Sequence, residues 1–115
     1  MKNLLTLLVL FYAVAASASS PPQDRWQFEV LLDDRPIGYH NFILSEKNGR
    51  QVISAEARFN VKFLFVNLFS YRHQNEEIWE DNCLTSINAE TLSNGTEFVV
   101  RGQAASEGFQ IQVES

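Results

Sequence analysis

The chain has 115 residues, 9 Lys and Arg against 14 Asp and Glu, a hydrophobic content of 45% and a single Cys. These values fit one small folded unit and exclude a collagen-like, disulfide-scaffold or extensively disordered chain. The apolar residues are unevenly spread, since 14 of the 52 fall within residues 1–18, which leaves about 39% over the other 97. Without Lys2, 8 basic side chains face 14 acidic ones. That balance disfavours a nucleic acid or an anionic membrane held by charge alone.

Residues 1–18 have the three parts of a secretory signal: Lys2 at the start, an apolar run from Leu4 to Ala16, and the small-residue pattern Ala16-Ser17-Ala18. The apolar run is shorter than the roughly 20 residues that a bilayer core needs. The expected product is therefore exported, periplasmic or secreted, soluble, and without a transmembrane span after cleavage. No Cys follows the run to carry a lipid anchor, and Cys83 cannot form an intramolecular disulfide. With no basic neighbour to activate it, Cys83 reads as a small packed hydrophobe.

Residues 19–25 form a polar lead containing Pro21-Pro22, and residues 26–115 are expected to form an antiparallel β domain. Trp26, Phe28 and Val30 alternate with polar residues in a first strand to Leu32, and Asp33-Asp34-Arg35-Pro36 makes a turn. A second strand, Ile37–Ser45, closes at Lys47-Asn48-Gly49, where Asn-Gly favours a tight hairpin. The third strand alternates most cleanly, with Ile53, Ala55, Ala57, Phe59, Val61 and Phe63 on one face and Ser54, Glu56, Arg58, Asn60 and Lys62 on the other. A fourth strand is expected from Ser70 to Glu80, a turn at Asp81-Asn82, a fifth strand over Leu84–Leu92 and a hairpin at Asn94-Gly95. The sixth and seventh strands follow at Glu97–Arg101 and from Phe109 onward. A strand running into Ser115 has no protected edge, so the sheet reads as unfinished at its C-terminal side. The expected class is all-β, or α+β if further elements follow, with a curved antiparallel meander.

The fourth strand is the most unusual. Alternation puts Tyr71, His73, Asn75, Glu77 and Trp79 on one face, making His73, Asn75 and Glu77 a polar row between two aromatic residues. One reading is a polar anchor in an apolar pocket whose lining includes Phe59 and Phe63. The other is a wet strand face, or a bulge that breaks the alternation. His73 and Glu77, with His40, have no spacing typical of a metal site, and no metal or cofactor is expected. Nucleophile-elbow and phosphate-loop motifs are missing, and the acidic residues around Glu76 and Glu80 read as solvated, so the chain leans away from an enzyme.

The run Phe63-Leu64-Phe65-Val66-Asn67-Leu68-Phe69 is apolar on both faces, with Asn67 the expected turn residue. Such a tip is buried by its own fold, a ligand, a protein partner or lipid, because exposing several large apolar side chains is costly. Phe65, Val66, Leu68 and Phe69 are its candidate contact residues. Asn94-Gly95-Thr96 fits a glycosylation acceptor pattern, but turn geometry alone explains it.

The order Phe69-Ser70-Tyr71-Arg72-His73, Glu77-x-Trp79, Leu84 and Thr91-Leu92-Ser93-Asn94-Gly95 resembles domain-of-unknown-function family 6134, a family of exported bacterial proteins, and is similar to the related family 3108. The earlier Phe28-Glu29-Val30, Asp33, Ile37-Gly38 and Phe42 fit the same pattern, so the resemblance covers about Gln27 to Gly102. It implies a half-barrel similar to periplasmic lipoprotein-carrier scaffolds and no assigned catalytic residues. The expected function is a non-enzymatic module for a hydrophobic or lipid-like ligand, the alternative being an envelope protein–protein interaction module that uses the tip or the open sheet edge.

Overall fold

A computed structural model describes residues 23–115. The export signal read in residues 1–18, and the lead as far as residue 22, lie outside the described residues. Seven strands follow one another: β1 (Gln23–Leu32), β2 (Arg35–Lys47), β3 (Arg50–Phe63), β4 (Val66–Glu80), β5 (Cys83–Ser93), β6 (Thr96–Ala104) and β7 (Phe109–Glu114). They pair antiparallel in one sheet whose spatial order is the chain order. β1 and β7 are its two edges, so the all-β meander stays open, as in a half-barrel, and does not close into a barrel. Among the described residues there is no helix, and none is long and apolar enough to cross a membrane.

Two-residue turns set the register. Asp33 and Asp34, Asn48 and Gly49, Asp81 and Asn82, and Asn94 and Gly95 all have positive φ, between 48° and 85°. That conformation matches the twist of the flanking strands and favours Asn, Asp and Gly. The first turn is therefore shorter than the predicted Asp33–Pro36. Arg35 and Pro36 belong to β2, opposite Leu32 and Leu31, where a register shift accommodates the ring.

The β3–β4 turn departs further from expectation. It is formed by Leu64 and Phe65, not by Asn67, and Leu64 has a φ of 56°. Asn67 lies within β4 opposite Lys62, beside a register shift. With its amide oriented to satisfy both bonds, its nitrogen donates to the carbonyls of Val61 and Phe69, each at 3.3 Å. The polar break in the apolar run thus stitches a bulge, and β4 is four residues longer at its start than the predicted Ser70–Glu80.

Period-two alternation separates the two faces. One face carries Trp26, Phe28, Phe42, Phe59, Tyr71, Ile87, Val100, Ile111 and Val113, which meet in cross-strand rows. The other carries Glu56, Arg58, Arg72, Gln74, Glu90 and Arg101. On this polar face Tyr39 donates to Glu56 Oε1 at 2.9 Å, and the bond to the carboxylate holds the phenol above its ordinary pKa. The buried apolar residues are Ala55, Ala57 and Ala89, small side chains beneath larger neighbours near the sheet centre. Gly38 is required where β2 crosses β3, since a Cβ there would run into the Arg58 carbonyl. Cys83 differs from its expected packed position. It is exposed at the start of β5, next to the turn.

Candidate ligand-binding face

The site can be built row by row. Antiparallel pairing places Phe28, His40, Ala57, His73, Thr91 and Phe98 in one row across six strands. The next row contains Trp26, Phe42, Ala55, Asn75, Ala89, Val100 and Val113. Glu77 lies in a third row, between Ile53 and Ile87. His73, Asn75 and Glu77 therefore do share a face with Tyr71 and Trp79. The register shift on the β5 side comes only between Ile78 and Trp79, after the polar row.

Hydrogen bonds order this row. Trp79 Nε1 donates to Glu77 Oε2 at 2.9 Å, and Asn75 Nδ2 donates to Glu77 Oε1 at 3.2 Å. His73 Nδ1 lies 2.7 Å from Thr91 Oγ1. Burial, together with the nearby His40, holds the His73 imidazole below its ordinary pKa. Asn75 Oδ1 is buried and has no hydrogen-bond partner. An amide oxygen in that state bears an uncompensated desolvation cost of about 1–3 kcal/mol.

Aromatic side chains extend the face towards the tip. Tyr71 stacks on Phe59 with centroids 5.3 Å apart, and Phe69, Tyr71 and His73 follow one another along β4 at 6.2 Å steps. On β2, His40 packs against Phe42 at 4.3 Å. Phe63 stands apart from this group, opposite Val66 at the sheet end. Phe65, Val66 and Leu68 are exposed around the turn, with Phe65 at 103% of its reference accessibility, whereas Phe69 is half-buried beside Tyr71.

His73 and Glu77 are four residues apart on one strand, roughly 13 Å along its axis, so the structure does not bring them together as an acid–base pair. Among the described residues no three His, Cys, Asp or Glu side chains form a metal-binding group. A depression of about 450 Å³ opens on the polar face, lined by Asn41, Glu56, Gln74, Glu76, Asn88 and Glu90. The aromatic rows lie on the opposite face. Thr91 was missed as a partner of His73, because strand registers cannot be paired from one strand's alternation.

Among the described residues, these features define an open, single-layer β scaffold with one uncovered apolar face crossed by a polar row. A family model described as a domain of unknown function, DUF6134, matches residues 28–115, and the chain belongs to that family. No curated protein and no solved structure matches the chain.

Proposed function

We propose that the chain is an exported, non-enzymatic module that binds a hydrophobic or lipid-like ligand on the apolar face. The observation that carries this reading is that no second layer covers that face among the described residues. A sheet normally buries its apolar side against a second layer, yet Trp26, Phe28, Phe98, Ile111 and Val113 are all exposed, Ile111 at 61% and Val113 at 67%. Burying one such side chain contributes about 1.5–3 kcal/mol. Phe59 and Tyr71 supply flat apolar contact, and His73, Asn75 and Glu77, held by Trp79, orient the polar end of the ligand. Phe63 contributes from the tip.

Native mass spectrometry of the exported protein, together with titration by the fluorescent amine N-phenyl-1-naphthylamine, tests this reading. A co-purifying apolar mass and saturable probe fluorescence are expected. Protein without bound lipid that also leaves the probe dark would refute it.

A second reading has its own observation. Leu64 adopts a left-handed φ of 56° while 80% exposed, and Phe65 beside it is fully exposed. Both backbone strain and solvation disfavour large apolar residues there. An envelope protein that covers the tip offsets both costs. Under this reading Phe65→Asp abolishes co-purification of that partner and leaves the fold intact. A Phe65→Asp protein that fails to fold would place the tip in the core.

A further inference from the structure

The two faces of the sheet differ in charge more sharply than in hydrophobicity. Of the eight Lys and Arg among the described residues, seven fall on the polar face by strand register, including Arg25, Arg58, Arg72 and Arg101. The eighth, Arg35, stands beside the Asp33–Asp34 turn, beyond the β1–β2 register shift. The apolar face carries carboxylates instead: Asp24 opposite Leu44, Glu46 opposite Gln51, and Glu77 between Ile53 and Ile87. His40 and His73 are its remaining ionisable groups apart from Tyr71.

An anionic head group laid on this face would lose water without gaining a cation, next to a carboxylate already in place. Burying an unpaired charge is among the costliest steps in binding. The free valences of the polar row have the opposite preference. Asn75 has committed its Nδ2 to Glu77, so its amide is oriented with Oδ1 as an unsatisfied acceptor. Turning that oxygen towards an incoming group exchanges the 3.2 Å bond to Glu77 for one to the ligand and frees a Glu77 lone pair for a second donor. Glu77 accepts one bond at each oxygen, and a carboxylate has lone pairs for more. Both groups require donors.

We infer that the ligand of this face is an amphiphile whose head group is a non-anionic hydrogen-bond donor, such as a hydroxyl, rather than an anionic carboxylate or phosphate. This rests on the hydrophobic-ligand reading above and narrows it to one chemical class. Asn75 Oδ1 and Glu77 receive the head, Trp79 holds the carboxylate, and the acyl chain lies across the Ala55 and Ala89 positions towards the exposed aromatic residues.

Chain-matched probes test the inference. Monodecanoylglycerol and decanoate are titrated, each below its micelle concentration, against protein loaded with N-phenyl-1-naphthylamine at about pH 8, where decanoate is ionised and free histidine is neutral. The glyceride should displace the probe with an affinity at least about tenfold higher than decanoate, a gap of about 1.4 kcal/mol. Asn75→Leu, close in volume but without the acceptor, should weaken the glyceride at least about threefold while leaving decanoate and the probe binding as before, because the carboxylate that disfavours the anion remains. Glu77→Gln, which removes that carboxylate, should bring the two within about threefold of each other and supplies the test if the Leu variant does not fold. Equal or tighter binding of decanoate overturns the inference and leaves the hydrophobic-ligand reading standing. If neither amphiphile nor the probe binds, both fall.

Discussion

His40 and His73 occupy the same cross-strand row on either side of Ala57, the most buried of the core alanines at 2% exposure. The burial of His73, and after it the nearby His40 imidazole, disfavours a proton on His73. Its pKa in the folded state lies below that of the unfolded chain, so the unfolded state binds more protons between the two values. Stability from this site is complete above the unfolded value near 6.5 and is lost as pH falls through the folded one. Thermal unfolding measured in steps from neutral to mildly acidic pH should show a falling midpoint. A His73→Gln variant should show a smaller fall, and an unchanged pH profile in that variant would exclude His73 as the source.

Ala57 itself is expected to resist enlargement. Its neighbours across the ladder are His40 and His73, and a Leu at this position would push into both rings. Overpacking of this kind costs about 1–3 kcal/mol. Urea unfolding of Ala57→Leu should show that loss at unchanged slope, and a neutral result would mean that the face can expand around the new side chain.

At the tip, relief of strain and loss of function are separable. Leu64→Gly should stabilise the protein by about 1 kcal/mol, because glycine enters the left-handed region freely and leucine does not. A higher melting midpoint combined with lost partner capture would mark Leu64 as retained for contact. A lower midpoint would show that its side chain packs favourably despite its exposure.

Gly102 controls the attachment of β7. A Cβ at this position would strike the Phe109 ring and approach Ile87 Cγ2 to 2.8 Å. Since β7 pairs only with β6 among the described residues, Gly102→Ala should loosen the last strand selectively. Hydrogen exchange should rise over Phe109–Glu114 and remain slow in β3 and β4. Uniform acceleration across the sheet would instead indicate global destabilisation.

Asn94 links the β5–β6 turn to a third strand. Its backbone N–H donates to the Ser70 carbonyl and its Oδ1 accepts from the Ser70 N–H, both at 2.8 Å. Asn94→Ala removes the side-chain bond and places a Cβ residue without Asn's local compensation at a φ of 48°. A loss of about 1–2 kcal/mol is expected in chemical denaturation. An unchanged stability would show that the backbone bond alone holds the turn.

Much of this architecture was legible in the residues themselves. Alternation of apolar and polar side chains in β3 identified a strand and assigned its faces, because successive side chains on a strand point to opposite sides. Asn48-Gly49, Asp81-Asn82 and Asn94-Gly95 marked three turns, because few other pairs accept positive φ at both positions. The polar row of His73, Asn75 and Glu77 was legible for the same reason. Local chemistry failed at Leu64-Phe65, where a turn forms from residues that oppose it, and at Asn67, whose amide serves a bulge between strands. Only the assembled sheet decided which rows the strands form, that Thr91 meets His73, that Asn75 Oδ1 is left without a donor, and that the cations collect opposite the aromatic residues. Those properties depend on register between distant segments. Alternation sorts each strand into two faces, but pairing decides which groups on a shared face become neighbours.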